Sequence, residues 1–364
     1  MNWLQLNGKK YSFEDLRQGK FQNVRTEFEN ATLSFCNDWL TNKQEFKFQS
    51  SGSTGPSQKI SFSRNQIQSS IDRSQRALGF KKNETALVCL DTKYVAGQVM
   101  LARCMHSSMN CIALEPSANP LKGLIKDYIH FAAFVPYQVQ TILSSTEVDI
   151  FNRIKTKIIG GAALDAKTAA KLEHLPNSIF ATYGMTETLT HIALQKLNHP
   201  DKSEVFTALD GINIAVDNRN CLTLEIPAIS KEKIITNDIV ELTGSNQFCW
   251  KGRFDNVINS GGVKINPENI ERAVEKVAHD LLIKAQFIIA GVDDAKLGQK
   301  IILICDSDLD ASQQENILSG LSKKLSAFEI PRTIYFVVPF IYTNTGKIDR
   351  IKTIKQITSA PTSN

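Results

Sequence analysis

The run Ser50-Ser-Gly-Ser-Thr-Gly-Pro-Ser-Gln-Lys-Ile60 crowds serine, threonine and glycine ahead of a single cation, Lys59. A phosphate loop of the common kinase kind requires G-x-x-x-x-G-K-[ST]. Counted from Gly52, the sixth place is Ser57 and Lys59 is followed by Ile60, so that pattern fails. Backbone N–H groups, hydroxyls and one lysine still suit a triphosphate. Glycine and serine equally make an ordinary flexible loop, and spacing alone leaves both readings open. Within a few residues the run leads into a helix expected over Asn65–Leu78, where Ile67, Ile71 and Leu78 fall at helical spacing.

Working outward, the apolar runs Thr85–Leu90 and Lys157–Ile159, the latter ending on Gly160-Gly161, read as buried strands with helical stretches between them, an α/β rhythm. From about Asp210 the texture becomes β-rich. Gly211–Val216, a turn at Asp217–Asn220 and Cys221–Ile226 predict a hairpin. Beyond the polar stretch Lys251–Asp255 the pattern restarts as a smaller α+β unit of roughly 110 residues. Its expected elements are a helix over Pro267–Val277, strands over Phe287–Val292 and Lys300–Cys305, a helix around Ile317–Leu325 and a strand over Thr333–Val338. The polar tail after Arg350 is expected to fray.

The 364 residues are 42% hydrophobic, enough to bury substantial cores, and the net charge of +5 is mild. No dense Lys/Arg block with interleaved aromatics points to nucleic acid. Seven cysteines, odd in number and without a C-x-x-C pair, argue against a disulfide framework and a zinc cluster. With no basic-then-apolar leader and no apolar run of membrane length, neither secretion nor stable membrane insertion is expected, and a cytoplasmic location is.

Three further segments carry chemistry. Ala181-Thr-Tyr-Gly-Met-Thr-Glu-Thr188 brings an aromatic face, a hydroxyl and a carboxylate to one glycine turn, a set able to stack a base, bind a phosphate oxygen and hold Mg²⁺; it also reads as a plain turn with a buried Tyr183. The others are Trp250-Lys-Gly-Arg-Phe-Asp255, continuing to Glu271, and Tyr342-Thr-Asn-Thr-Gly-Lys-Ile-Asp-Arg350. In this order the four segments resemble the adenylate-forming acyl-CoA synthetase superfamily, over about Phe46–Arg350.

That resemblance implies a fold and a set of roles. The fold is α/β: a large N-terminal domain of mixed sheets and helices over 1–252, a hinge at 253–255 centred on Asp255, and a small mobile C-terminal α+β domain over 256–364. Ser51, Gly52, Ser53, Thr54, Gly55 and Lys59 would cradle the β- and γ-phosphates of ATP. Thr186 would touch the α-phosphate and Glu187 would bind Mg²⁺. Gly160, Gly161 and Ala162 would wall the adenine together with Tyr183 and Gly184. Asp238 would accept from both ribose hydroxyls, with Arg253 close by. Lys347 would bridge the substrate carboxylate and the phosphate during adenylation. After rotation about the hinge, the turn carrying Gly261, Gly262 and Lys264 would replace Lys347 and guide coenzyme A.

Only about fifty residues precede the phosphate loop, so a reduced N-terminal lobe is expected. This shortness, with Val135–Leu143, Ile158–Leu164 and Tyr183–Thr188, is most similar to the o-succinylbenzoate:CoA ligases of menaquinone biosynthesis. Many relatives have a histidine where this chain has Tyr94, leaving that histidine's role in doubt. A dicarboxylate substrate needs a partner for its spare carboxylate, and Lys93, Tyr94, Thr190 and His191 are the expected acyl-binding residues. A general aryl- or fatty-acyl-CoA ligase, an enzyme loading a carrier protein, and a non-catalytic relic are the alternatives.

Overall fold

A computed structural model of the chain describes residues 2–21, 23–49, 59–124, 128–342 and 348–358. A 13-stranded sheet organises the chain up to Arg253, apart from a two-stranded sheet of Glu45–Gln49 and Lys59–Ser63. One half is parallel, running Ser178–Gly184, Thr156–Ile159, Phe131–Phe134, Thr85–Val88, Asn110–Ala113 and Trp3–Leu6 in spatial order, and it is closed by antiparallel Lys9–Ser12. These strands are short and apolar on both faces because helices cover both sides. Along Thr85–Val88 and on to Cys89 the side chains alternate between two cores. Ala86 and Val88 join one with Ile67, Ile71 and Met100, while Leu87 and Cys89 join the other with Phe134, Val139 and Ile142.

The other half is antiparallel. His191–Lys196 pairs with Ser178–Gly184, and beyond it lie Phe206–Ala208, Gln247–Arg253, Ile234–Gly244, Cys221–Glu225 and Asn213–Val216. The expected hairpin is present, Asn213–Val216 against Cys221–Glu225. Asp217 closes its turn by accepting the N–H groups of Arg219 and Cys221.

A separate five-stranded sheet follows, with Gly298–Cys305 pairing Phe287–Asp294, Thr333–Phe336 and, through Ser260, Ile258–Ser260; Val263–Ile265 completes it. Its two cores draw only on residues from Ile258 onward. The chain passes between the sheets through the short turn Phe254–Asn256. Among the described residues no helix is long and apolar enough to cross a membrane.

The helix expected over Asn65–Leu78 is present as Arg64–Leu78, under a Ser63–Gln66 capping box. Ahead of it lies a strand that was not expected, Lys59–Ser63, which pairs with Glu45–Gln49 and buries Phe46, Phe48 and Phe62. Two expectations need correction. The helix placed at Ile317–Leu325 spans Ala311–Ser322, because Asp310 and Gln313 form a capping box that starts it earlier. The tail does not fray at Arg350. Arg350–Thr358 is a helix whose Ile354 and Ile357 pack on the second small core, with Thr353 fully buried and Asp349 accepting the Lys352 N–H. Three-residue spacing of two isoleucines was the overlooked signal.

Candidate active site

At the carboxyl ends of the parallel strands, where the sheet changes to its antiparallel half, lies a cavity of about 2200 Å³. This is where open α/β sheets bind ligands. Gly160, Gly161 and Ala162 line it just past the strand Thr156–Ile159. A Cβ on Gly160 would lie 2.2 Å from Thr182 Oγ1, so glycine lets the two strand ends approach with the Thr182 hydroxyl kept on the Ile159 carbonyl. Gly184 is constrained in the same way, its Cβ position being 2.4 Å from the Thr190 carbonyl oxygen. Next to it the single turn Thr186–Thr188 is pinned by buried Thr188, whose Oγ1 accepts the Met185 N–H at 3.0 Å. Thr186 and Glu187 line the cavity from this turn.

Asp238 is 7% exposed and held from two sides. The Tyr183 hydroxyl donates to Oδ2 at 2.7 Å and the Trp250 indole N–H donates to Oδ1 at 3.1 Å. Arg253, across the ladder from Asp238, brings its guanidinium to 3.6 Å from Oδ1 and bonds Asp255 at 2.7 Å. Asp255 also accepts from Asn237 at 2.9 Å. Burial and the Asp238 carboxylate push the Tyr183 phenol far above its ordinary range, so it stays a donor.

The cavity wall also holds a buried cation that sequence reasoning missed. Arg103, on the helix Val95–His106, is 3% exposed, lines the cavity, and has no carboxylate partner among the described residues. Its guanidinium reaches His191 Nδ1 at 3.4 Å, and its Nε has no partner. Since arginine can only donate, Nδ1 accepts and the Nε2–H points to Ser74 Oγ, 3.1 Å away. Burial, then Arg103 and Arg73, hold His191 well below its usual range and hence neutral. Thr190 lies 2.8 Å from Ser70 Oγ, and Tyr94 also lines the wall.

Lys93 is not brought to this site. It is exposed, paired with Glu27, and absent from the cavity wall. Gly261 and Gly262, with φ of +61° and +81°, form the turn before Val263–Ile265, and neither they nor exposed Lys264 line the cavity. Ser51, Gly52, Ser53, Thr54, Gly55 and Lys347 lie outside the described residues. The helix Pro267–Asp280 closes the cavity from the small unit through Glu268, Glu271 and Glu275. Glu271 there takes a bidentate contact from Arg350, at 2.6 and 3.1 Å.

Glu187 makes no ion pair among the described residues. A carboxylate on the cavity wall without an ion pair among the described residues fits Mg²⁺, which keeps most of its waters and takes few protein ligands.

Residues 48–220 match the family described as AMP-binding enzyme. The chain is also 36% identical to an acyl-CoA synthetase (AMP-forming)/AMP-acid ligase II-like protein from Dyadobacter fermentans, the match covering 93% of this chain and 97% of that one at a TM-score of 0.62. The chain belongs to the AMP-binding enzyme family. Its relatives place it within the acid:CoA ligase superfamily. It is 25% identical over 359 residues to a 2-succinylbenzoate–CoA ligase of Lactococcus lactis, covering 90% of this chain and 77% of the relative. The o-succinylbenzoate CoA synthetase of Bacillus subtilis, solved with ATP and magnesium ion, shares the fold at a TM-score of 0.69 and 16% identity, over 85% of this chain and 69% of that one.

Proposed function

We propose that this AMP-binding enzyme is an ATP- and Mg²⁺-dependent acid:CoA ligase that works through an acyl-adenylate, and that its acid is o-succinylbenzoate. The observation carrying the choice of acid is Arg103, a buried cation that lines the cavity without a carboxylate partner among the described residues. A guanidinium is a fork that suits a carboxylate bidentately. A monocarboxylic acid, whose only carboxylate is consumed at the phosphate, leaves that cation unpaired, whereas a dicarboxylate pairs it with its spare group.

In the first half-reaction the substrate carboxylate oxygen attacks the α-phosphorus and pyrophosphate leaves. Negative charge builds up there, so fixed donors and cations dominate the rate. In this reading Thr186 and Lys347 serve that charge, Ser51 to Lys59 hold the departing phosphates, and Glu187 holds Mg²⁺, which neutralises them. Gly160 to Ala162 and Tyr183 receive the base, and Asp238 the ribose. In the second half the coenzyme A thiolate attacks the acyl carbon and AMP leaves. Residues 256–364 turn against 1–252 about Asp255 between the halves, bringing Gly261, Gly262 and Lys264 to the site. The separate cores of the two units and the single short connection at Phe254–Asn256 support this division.

The test is CoA-dependent AMP release from ATP with o-succinylbenzoate, benzoate and a medium-chain fatty acid in parallel. Turnover selective for o-succinylbenzoate is expected. Turnover of the monocarboxylic acids without the dicarboxylate overturns the substrate, and no adenylation of any acid overturns the activity.

A further inference from the structure

Trp250 belongs to the strand Gln247–Arg253, and in an uninterrupted ladder it would point away from Asp238. Asp238 pairs with Arg253 and Ile239 with Gly252, which would put Lys251 opposite Val240. Instead Val240 pairs with Trp250, leaving Lys251 as an extra residue, a β-bulge. Residues paired across a ladder share a face, and faces alternate along a strand. Val240 and Asp238 share one face, so the bulge turns Trp250 onto it, and the indole N–H reaches Asp238 Oδ1 at 3.1 Å. The bulge is built around Gly252, at φ +154°, where a Cβ would lie 2.5 Å from both Asn266 Oδ1 and Glu268 Oε2.

A carboxylate offers about four lone-pair sites. On Asp238 the Tyr183 hydroxyl takes one of Oδ2 and the Trp250 indole one of Oδ1. The Arg253 guanidinium stands 3.6 Å from Oδ1, too far to be a hydrogen bond. That leaves one acceptor site on each oxygen, with both oxygens fixed in direction, in a carboxylate that is 7% exposed and borders the cavity. Two adjacent hydroxyls satisfy such a pair, while one hydroxyl leaves a buried acceptor empty. We infer that Trp250 is a positioning residue that, with Tyr183, sets Asp238 to read a complete cis-diol, so that the site selects ribonucleotides over 2′-deoxyribonucleotides. This rests on the proposed use of the cavity for ATP.

The experiment is acid-dependent ATP–pyrophosphate exchange with ATP and with 2′-dATP, in the wild type, Trp250→Phe, Asp238→Asn and the double variant. Wild type is expected to prefer ATP. In Trp250→Phe the KM for ATP rises about tenfold, kcat at saturating ATP stays within about threefold, and the preference for ATP over 2′-dATP falls about tenfold, as the loss of one hydrogen bond to a charged group implies. In the Asp238→Asn background Trp250→Phe adds little, because it acts through that carboxylate. Wild type that uses both nucleotides equally, a Trp250→Phe variant with an unchanged ratio, or an undiminished effect in the Asp238→Asn background overturns the inference. A wild type that exchanges no pyrophosphate with any acid instead overturns the proposed function. In that case AMP and 2′-deoxy-AMP, titrated against Trp250 emission, still test the diol reading. Should Trp250→Phe not fold, Trp250→Leu is read by the same criteria, and equal affinity of folded wild type for AMP and 2′-deoxy-AMP overturns the inference without any variant.

Discussion

Replacing Arg103 by methionine, which keeps a long unbranched side chain in place, separates the two consequences of a buried charge. In the free enzyme the guanidinium is a liability. Burial pulls it down from its ordinary range to about 10, on the order of 3 kcal/mol of desolvation at 1.36 kcal/mol per pH unit, which no carboxylate among the described residues compensates. It nonetheless remains charged at neutral pH. Arg103→Met therefore removes that penalty at the expense of weak contacts to the Met100 sulfur, His191 and Ser74, at 3.2, 3.4 and 3.5 Å. The thermal unfolding midpoint of the free protein is expected not to fall. With a dicarboxylate bound the sign reverses, because the spare carboxylate is left buried without a partner, at a cost of about 2–5 kcal/mol. The loss in kcat/KM for o-succinylbenzoate is then on the order of a hundredfold to a thousandfold. Initial rates of pyrophosphate exchange with o-succinylbenzoate and with benzoate make the assay. A loss of less than threefold for the dicarboxylate, or the same proportional loss for both acids, refutes the reasoning.

Lys347→Ala is expected to abolish adenylation while leaving thioester formation from supplied acyl-adenylate largely intact; equal loss of both half-reactions, measured separately, contradicts the rotating-domain reading. Gly160→Ala sets a Cβ 2.2 Å from Thr182 Oγ1. Threonine is stiff at χ1 and this one donates to the Ile159 carbonyl, so the strand ends must separate, at a cost of about 1–3 kcal/mol; calorimetric titration should show weaker ATP binding with the fold retained. Burial pushes the Glu275 carboxyl up to about 7, with Asp165 and Glu271 adding to the rise. The folded protein thus keeps a proton that the unfolded chain has lost, and stability through this group falls as pH rises from about 4.5 to about 7, then levels off. Unfolding midpoints measured across that window should decline less in Glu275→Gln than in wild type.

Where an element's own residues carry its signal, the sequence was sufficient. Asp217 to Asn220 closes the hairpin by local hydrogen bonds, and Pro267 opens a helix whose Ile270, Val274 and Val277 face one core. The strand Lys59–Ser63 was not legible because its partner, Glu45–Gln49, lies on the far side of the Ser/Gly run, and five alternating residues without that partner resemble the approach to a helix. Lys93 misled for a related reason. It sits beside cavity-lining Tyr94, but successive residues entering a helix diverge, and its ammonium turns to Glu27 on another helix.

The same distinction divides the site itself. The proposed nucleotide end was legible because its demands fall on glycines: a Cβ at Gly160 or Gly184 would meet an atom 2.2 or 2.4 Å away, and such demands leave short contiguous motifs. The proposed acyl end is assembled from Ser74 on one helix, Arg103 on a second and His191 on a strand, with Ser74 and His191 117 positions apart. Distance along the chain hides such a trio, yet Arg103 had a signal of its own. It sits within Met100-Leu-Ala-Arg-Cys-Met105, whose six residues are all buried, and a helix turn that is apolar on every side has no solvent for an arginine to reach. Arginine is almost never fully buried unless paired. A charge that the helix pattern forbids, and that no carboxylate among the described residues relieves, is therefore best explained by an anion that arrives from outside the chain.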